Sequence, residues 1–187
     1  MNSSSYFEEG LKLFELKKYN EALPAIEKEI NKNPKNSKAF NLKGNIFLNM
    51  EIYDKALEAY ESAIKIDPTY SAPHFNKGLV YTRLKKFHQA IEAYEIVNKL
   101  NPKDSEAYLN KGNMLQELSK NELALEAYDK AIKIQPDLTY AYICKGSIML
   151  YTKKYDDALF ALSKAIEIDP KNPNAYHFKG RTLYDNL

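Results

Sequence analysis

The sequence contains no tryptophan, only six glycines and a single cysteine, Cys144, among its 187 residues. One cysteine cannot form a disulfide within the chain, which is typical of proteins in a reducing compartment. No apolar run approaches the length of a membrane-spanning helix. The stretch from Met1 to Ser5 also lacks the basic start and apolar core of a secretory signal. We therefore expect a cytoplasmic protein without a membrane partner.

A strong excess of charge is also absent. The chain has 27 lysines and arginines against 25 aspartates and glutamates, for a formal net charge of +2. A protein that neutralises many phosphates needs a net basic face. We therefore expect no nucleic-acid partner.

The few glycines follow a strict repeat, and prolines and alanines keep the same interval of 34 residues. The positions are Gly10, Gly44, Gly78, Gly112, Gly146 and Gly180; Pro34, Pro68, Pro102, Pro136 and Pro170; Ala22, Ala56, Ala90, Ala124 and Ala158. Three residue types with one period predict a tandem array of structural repeats. The predicted units are 3–36, 37–70, 71–104, 105–138 and 139–172, followed by a partial sixth unit or capping helix at 173–187.

Each unit is predicted to form two helices. In the second unit, apolar residues recur at helical spacing before and after a short turn at residues 49–52. Pro68 ends this unit because proline cannot continue a helix. The expected N-caps of later first helices are Ser71, Ser105, Thr139 and Asn172, and Ser5 has the spacing of a capping box.

The glycine in every first helix needs a structural reason, because it costs roughly 1 kcal/mol relative to alanine in mid-helix. We expect it to allow close approach of the second helix, opposite the small alanine ten to twelve residues later. Large residues such as Tyr60, Tyr94 and Tyr128 would then fill the space beside that contact.

This combination of glycine, alanine, an aromatic residue four positions after the alanine, and a closing proline resembles the tetratricopeptide repeat family. The resemblance implies an all-α, right-handed superhelical solenoid of antiparallel helix pairs. The family's late alanine is replaced by Glu29 in the first unit, which suits an exposed terminal unit. A lysine precedes the glycine in five units, and we expect these lysines to pack their stems and expose their heads.

No arrangement of residues points to catalysis. His74, His88 and His177 are too far apart in register to share a metal, and Cys144 has no histidine at helical spacing. Acidic pairs such as Asp156 and Asp157 fall on the outer face of second helices, where solvation is the usual role. We expect no enzyme activity, no cofactor and no metal.

The resemblance implies that first helices line a concave groove for a protein or peptide partner. Counting from each glycine, the predicted partner-binding residues are Asn41, Asn45, Asn76, Asn110, Asn113, Phe75, Leu79, Leu109 and Arg83. Equivalent positions of the fifth and sixth units include Ile143, Cys144, Ser147 and Phe178, and further groove positions along the same helices include Gln116 and Glu117.

Asparagine dominates the centre of this set, although it is a mediocre helix former. Its amide offers a donor and an acceptor, as an extended peptide backbone requires. Asn76 and Asn110 resemble the asparagine ladder of the O-linked N-acetylglucosamine transferase family. Alanine at both sites is then expected to weaken binding while leaving folding nearly intact. The alternative is that these asparagines hydrogen-bond one helix to another.

A second family mode, the carboxylate clamp for chaperone tails, does not fit. Asn45 and Asn76 match its asparagines, but Asn41, Glu106 and Asn110 stand where the clamp has cations.

Two further alternatives for the function stay open. The first is end-to-end association of the array through its terminal helices, because Tyr176, Leu183 and other apolar residues make the last helix only weakly polar. The second is that the array is the regulatory repeat region of a larger protein.

Overall fold

The computed structural model describes residues 5–187, which contain eleven α helices and no strand. They are α1 (Tyr6–Glu15), α2 (Tyr19–Lys32), α3 (Ser37–Asn49), α4 (Tyr53–Ile66), α5 (Ser71–Arg83), α6 (Phe87–Leu100), α7 (Ser105–Glu117), α8 (Asn121–Ile134), α9 (Thr139–Tyr151), α10 (Tyr155–Ile168) and α11 (Pro173–Asp185). The predicted all-α helical-repeat class is confirmed. Residues 3 and 4, at the start of the first predicted unit, lie outside the described residues.

The chain divides into two compact units between Asn101 and Pro102. The first holds three helix pairs, α1 to α6. The second holds two pairs, α7 to α10, and the single helix α11. Three residues join the helices of each pair, and the middle one has a positive φ between 55° and 61° without being glycine.

Helix caps differ from the prediction at three positions. Ser71, Ser105 and Thr139 are the first helical residues of α5, α7 and α9, so they are not N-caps. The residue before Ser105, Asp104, caps α7 by accepting from the Ala107 amide. The predicted caps Ser5 and Asn172 are confirmed, and Ser5 forms the full capping box with Glu8.

The atoms nearest to the glycines of the five helix pairs belong to a large side chain of the second helix, and not to the predicted alanine. A Cβ added to Gly78 would lie 2.6 Å from the ring of Tyr94, sixteen residues later, whereas the Ala22 carbonyl lies 3.5 Å from a Cβ added to Gly10. Gly44 and Gly112 face Tyr60 and Tyr128 in the same way. The equivalent contacts in the first and fifth pairs are Gly10 with Ile26 and Gly146 with Leu162. The missing side chain therefore admits one large buried residue of the second helix.

Glu29 is not on an exposed surface as predicted, since it is only 4% exposed. Its carboxylate accepts from the amides of Asn33 and Asn36, both at 2.9 Å. These hydrogen bonds, with the Asn33 bond contributing most, lower the pKa of Glu29 below its ordinary value. Through these two hydrogen bonds the carboxylate connects the C-terminal end of α2 to the start of α3.

Three of the lysines that precede the glycines form ion pairs through their ammonium groups. Lys43 lies 2.8 Å from Glu27 and Lys77 lies 3.0 Å from Glu61, each sixteen residues earlier. Lys145 pairs with Asp129 at the same separation. These contacts link the second helix of one pair to the first helix of the next.

Candidate functional site

Three of the predicted asparagines form one hydrogen-bonded cluster on the first helices of the first unit. The Asn76 amide nitrogen on α5 donates to Asn41 Oδ1 at 3.0 Å and to Asn45 Oδ1 at 2.8 Å on α3. Asn41 is only 8% exposed, whereas Asn45 and Asn76 are partly exposed. The cluster therefore joins two neighbouring first helices, and both amide protons of Asn76 are used within the fold.

Two tyrosines extend this cluster. The Tyr60 hydroxyl donates to Asn45 Oδ1 at 2.9 Å, and Asn41 donates to the Tyr70 hydroxyl at 3.3 Å. Burial raises the pKa of Tyr60 far above its usual range, so this hydroxyl remains a donor. Among residues 5–187, no donor reaches Asn76 Oδ1. That oxygen is left as an acceptor for water or a partner.

The other predicted residues of the first unit have mixed environments. Phe75 is partly buried and packs edge-on against Tyr94, with ring centroids 5.5 Å apart. Leu79 is partly buried and Arg83 is exposed. Phe75 therefore packs on the core of the helix pair and is also partly exposed to solvent.

The first helices of the second unit, α7, α9 and α11, surround a cleft of about 470 Å³. Its lining residues are Asn113, Met114, Gln116, Glu117, Tyr140, Ile143, Cys144, Ser147, Asn174 and Phe178. Ile143 and Phe178 supply apolar surface between polar groups from all three helices. Glu117 is the one charged residue in this lining, so the cleft suits a neutral or basic segment better than an acidic one.

Hydrogen bonds fix several polar walls of the cleft. The Tyr128 hydroxyl lies 2.9 Å from Asn113 Oδ1 and 2.8 Å from Gln116 Oε1, which share its proton. Gln116 donates to Ser147 Oγ at 3.4 Å, and Ser147 donates to the Cys144 carbonyl at 2.8 Å. These hydrogen bonds fix the orientations of the side chains.

Cys144 also lines the cleft, and its thiol has low reactivity. Its sulfur donates weakly to Asn113 Oδ1 at 3.7 Å. Burial raises the pKa of the thiol to about 11, so it stays protonated at neutral pH. A protonated, buried thiol is a poor nucleophile.

Asn110 differs from Asn76 although the two occupy the same register position in consecutive repeats. Asn110 is partly exposed, and its side-chain amide makes no hydrogen bond to any residue between 5 and 187. The neighbouring Leu109 is also partly exposed. Asn110 thus keeps both its donor and its acceptor for other molecules.

Sequence reasoning missed two features of these faces. Tyr140 and Asn174 line the cleft six residues before their glycines, a register position left out of the prediction. The helix-to-helix hydrogen bonds of Asn45 and Asn113 agree with the alternative stated for the asparagines, but their tyrosine partners were not predicted, although a signal existed. A buried tyrosine hydroxyl needs a partner, and both asparagines come fifteen residues before such a tyrosine.

Neither a metal centre nor a membrane-crossing element is found in the described part of the chain. Residues 5–187 contain no group of three or more histidine, cysteine, aspartate or glutamate side chains that could hold an ion. Within the same residues, every helix is too short or too polar to traverse a bilayer.

Comparison with known families identifies the repeat. Three models of the tetratricopeptide repeat match the chain, one at residues 37–70 and 105–138, one at 139–172 and one at 59–92. Together these matches cover more than half of the sequence. No curated protein is matched by the sequence as a whole.

Solved structures with the same fold are distant in sequence. MamA is 23% identical with a TM-score of 0.80, over 87% of this chain and 95% of that chain. YrrB, described as a TPR protein with an unusual peptide-binding site, is 23% identical with a TM-score of 0.78, over 94% and 90%. PilF of Pseudomonas aeruginosa is 16% identical with a TM-score of 0.85, over 97% and 82%. At these identities the similarity is one of fold.

Proposed function

Since the chain belongs to the tetratricopeptide repeat family, we propose that it is a non-catalytic interaction module. It binds an extended or helical segment of another protein on the faces formed by its first helices. The observation that carries the proposal is the cleft between α7, α9 and α11, with its apolar floor and prearranged polar walls. The peptide-binding site of the similarly folded YrrB adds support by analogy. The single buried thiol suits a reducing, cytoplasmic setting.

The predicted site residues take different roles in this proposal. Asn110 binds the partner backbone directly, because both its donor and its acceptor are available. Asn113 offers its amide nitrogen while its oxygen accepts from Tyr128. Leu109 supplies apolar contact beside them.

In the first unit, Asn41 and Asn45 mainly position Asn76, which presents its free oxygen. Phe75, Leu79 and Arg83 give this face an apolar surface with one exposed cation.

The partner segment is neutral or basic in this proposal. Glu117 is exposed at the cleft, and no residue between 5 and 187 forms an ion pair with it. A lysine or arginine of the segment would provide its counter-ion, whereas a carboxylate would be repelled.

The test begins with a partner recovered from native lysate and narrowed to a binding segment with overlapping peptides. Asn110→Ala should weaken binding of that segment roughly 5- to 150-fold, if two hydrogen bonds of about 0.5–1.5 kcal/mol each are lost. Glu117→Lys should also weaken it, and the loss should shrink at high salt. Asp156→Lys, on the exposed surface of α10, is the matched control. Unchanged binding in both groove variants would refute the proposed face.

A further inference from the structure

An aromatic residue begins the second helix of four of the five helix pairs. These residues are Tyr19, Tyr53, Phe87 and Tyr155, and each is partly buried. The first residue of α8 is instead Asn121. The fourth pair therefore lacks a ring that the four others partly bury.

In the first two pairs this ring reaches the first helix of the following pair. Tyr19 packs on a core cluster that contains Ile46 of α3. Its hydroxyl donates to Asn49 Oδ1, 3.2 Å away at the end of the same helix. Tyr53 packs in the same way on a cluster that contains Val80 of α5. A ring at the start of α8 would accordingly lie against α9.

The fourth pair has an open pocket of about 680 Å³ at this position, between the turn before α8 and the turn after α9. Its apolar walls are Leu123, Leu125 and Ile148. Ile148 has the register position of Ile46 and Val80. Leu123 is 48% exposed, and the other second helices have polar residues at its position. Those residues are Glu21, Lys55, Gln89 and Asp157. The pocket thus combines a missing ring with an additional apolar wall.

The polar groups around the pocket are available to another molecule. Lys120 and Lys154 line it, and neither ammonium group forms an ion pair or a hydrogen bond with any residue from 5 to 187. These two lysines and the single carboxylate of Glu122 give the lining a formal charge of +1. The side-chain amide of Asn121 makes no hydrogen bond within the same residues. An apolar group with an acidic group beside it would complement this lining.

We propose that this pocket binds an aromatic side chain of a partner protein, next to an acidic residue in the partner's sequence. The ring takes the place that the chain's own ring occupies in the other pairs, and it packs on Leu123 and Ile148. The acidic residue faces the ammonium groups of Lys120 and Lys154. The pocket shares no lining residue with the cleft between α7, α9 and α11, so the inference does not depend on the function proposed for that cleft.

Nuclear magnetic resonance titration of the ¹⁵N-labelled chain tests the proposal. The test peptide is glutamate–phenylalanine–glutamate, capped at both ends. The backbone amide signals of Leu123, Ile148 and Thr152 should shift, with a dissociation constant on the order of 1 mM. A peptide with alanine in place of phenylalanine should bind at least about tenfold more weakly, because the burial of the ring is lost. Absence of these shifts, or equal shifts with both peptides, would overturn the proposal.

Two substitutions copied from other pairs test the pocket itself. Asn121→Tyr supplies the missing ring from within the chain, so it should weaken peptide binding at least about tenfold without lowering the melting temperature. Leu123→Gln, which copies Gln89, removes the exposed apolar wall and should weaken binding roughly 3- to 10-fold. Asn110→Ala lies on the first-helix face and should bind the peptide as the parent does. Parental affinity in Asn121→Tyr and Leu123→Gln would show that the peptide binds elsewhere, against the proposal.

Charge and concentration identify the occupant. Lys120→Glu should weaken peptide binding roughly 2- to 10-fold, and the loss should shrink at high salt. The matched control is Lys133→Glu, an equal charge change at an exposed position of α8 outside the pocket. Equal effects of the two reversals would contradict the role assigned to Lys120. If the same signals shift when the protein is concentrated without peptide, the occupant is a second copy of the chain and the proposed partner is wrong.

Discussion

The hydrogen bonds of Asn76 lead to a matched comparison between two asparagines at one register position. Asn76→Ala removes the bonds to Asn41 and Asn45. It also leaves the Asn41 oxygen, on a residue 8% exposed, without its donor. Two bonds of about 0.5–1.5 kcal/mol amount to a loss of about 1–3 kcal/mol. The higher helix propensity of alanine relative to asparagine offsets roughly 0.5 kcal/mol of this loss in the free energy of unfolding.

The net loss of about 0.5–2.5 kcal/mol corresponds to a melting temperature roughly 1–10 °C lower, at about 2–4 °C per kcal/mol for a domain of this size. Asn110→Ala removes no hydrogen bond within the described residues, so its melting temperature should be unchanged or slightly raised. Far-ultraviolet circular dichroism melts and urea titrations of both variants measure the difference.

A third variant separates the two contributions. Asn41→Leu in the Asn76→Ala background removes the orphaned acceptor, and Leu109 and Ile143 show that this register accepts aliphatic side chains. The double variant should recover part of the lost stability. If Asn76→Ala melts with the parent, or if Asn110→Ala loses as much, then the assignment of a structural role to one and a binding role to the other is wrong.

Three further predictions concern the fold. Gly78→Leu should destabilise the chain by about 1–3 kcal/mol because the leucine side chain collides with Tyr94. Gly180→Leu should not destabilise it, and equal melting temperatures of the two variants would show that the ring contact is misplaced. His74 is buried, and burial followed by the charge of Lys77 lowers its pKa. Its protonation therefore favours unfolding, and the stability it contributes above about pH 6.5 is lost as pH falls through its folded pKa. His74→Tyr should flatten that loss in melts between neutral pH and about pH 5, and an unchanged slope would contradict it. Deleting residues 173–187 should lower the melting temperature because Ala175 and neighbouring apolar residues pack on the fifth pair; an equally stable truncation would show that α11 is not a cap.

The repeat made the helices predictable, because glycine, alanine and proline at one period mark the same structural positions in every unit. The caps were harder to predict, since Asp104 and Ser105 are adjacent in one turn and either residue type can cap a helix. The large residue nearest to each glycine was predicted to lie beside the contact and not at its centre, because spacing along a helix does not say which residue of an antiparallel neighbour lies opposite.

The asparagines show a further limit of the sequence. Asn76 and Asn110 have the same residue type and the same register, and only the neighbouring side chains distinguish them. Asn41 and Asn45 engage Asn76 through bonds across 35 and 31 residues. A pattern read one repeat at a time contains no information about such pairs.

The most direct test of the proposed function is site-specific photo-crosslinking in native lysate. A photoreactive amino acid is placed at Asn110 in one variant and at Phe160, on the exposed surface of α10, in another. We expect that a discrete protein is crosslinked from position 110, that an excess of the binding peptide prevents this crosslink, and that position 160 does not capture the protein. Capture of the same protein from position 160 alone, or equally from both positions, would contradict recognition by the first helices.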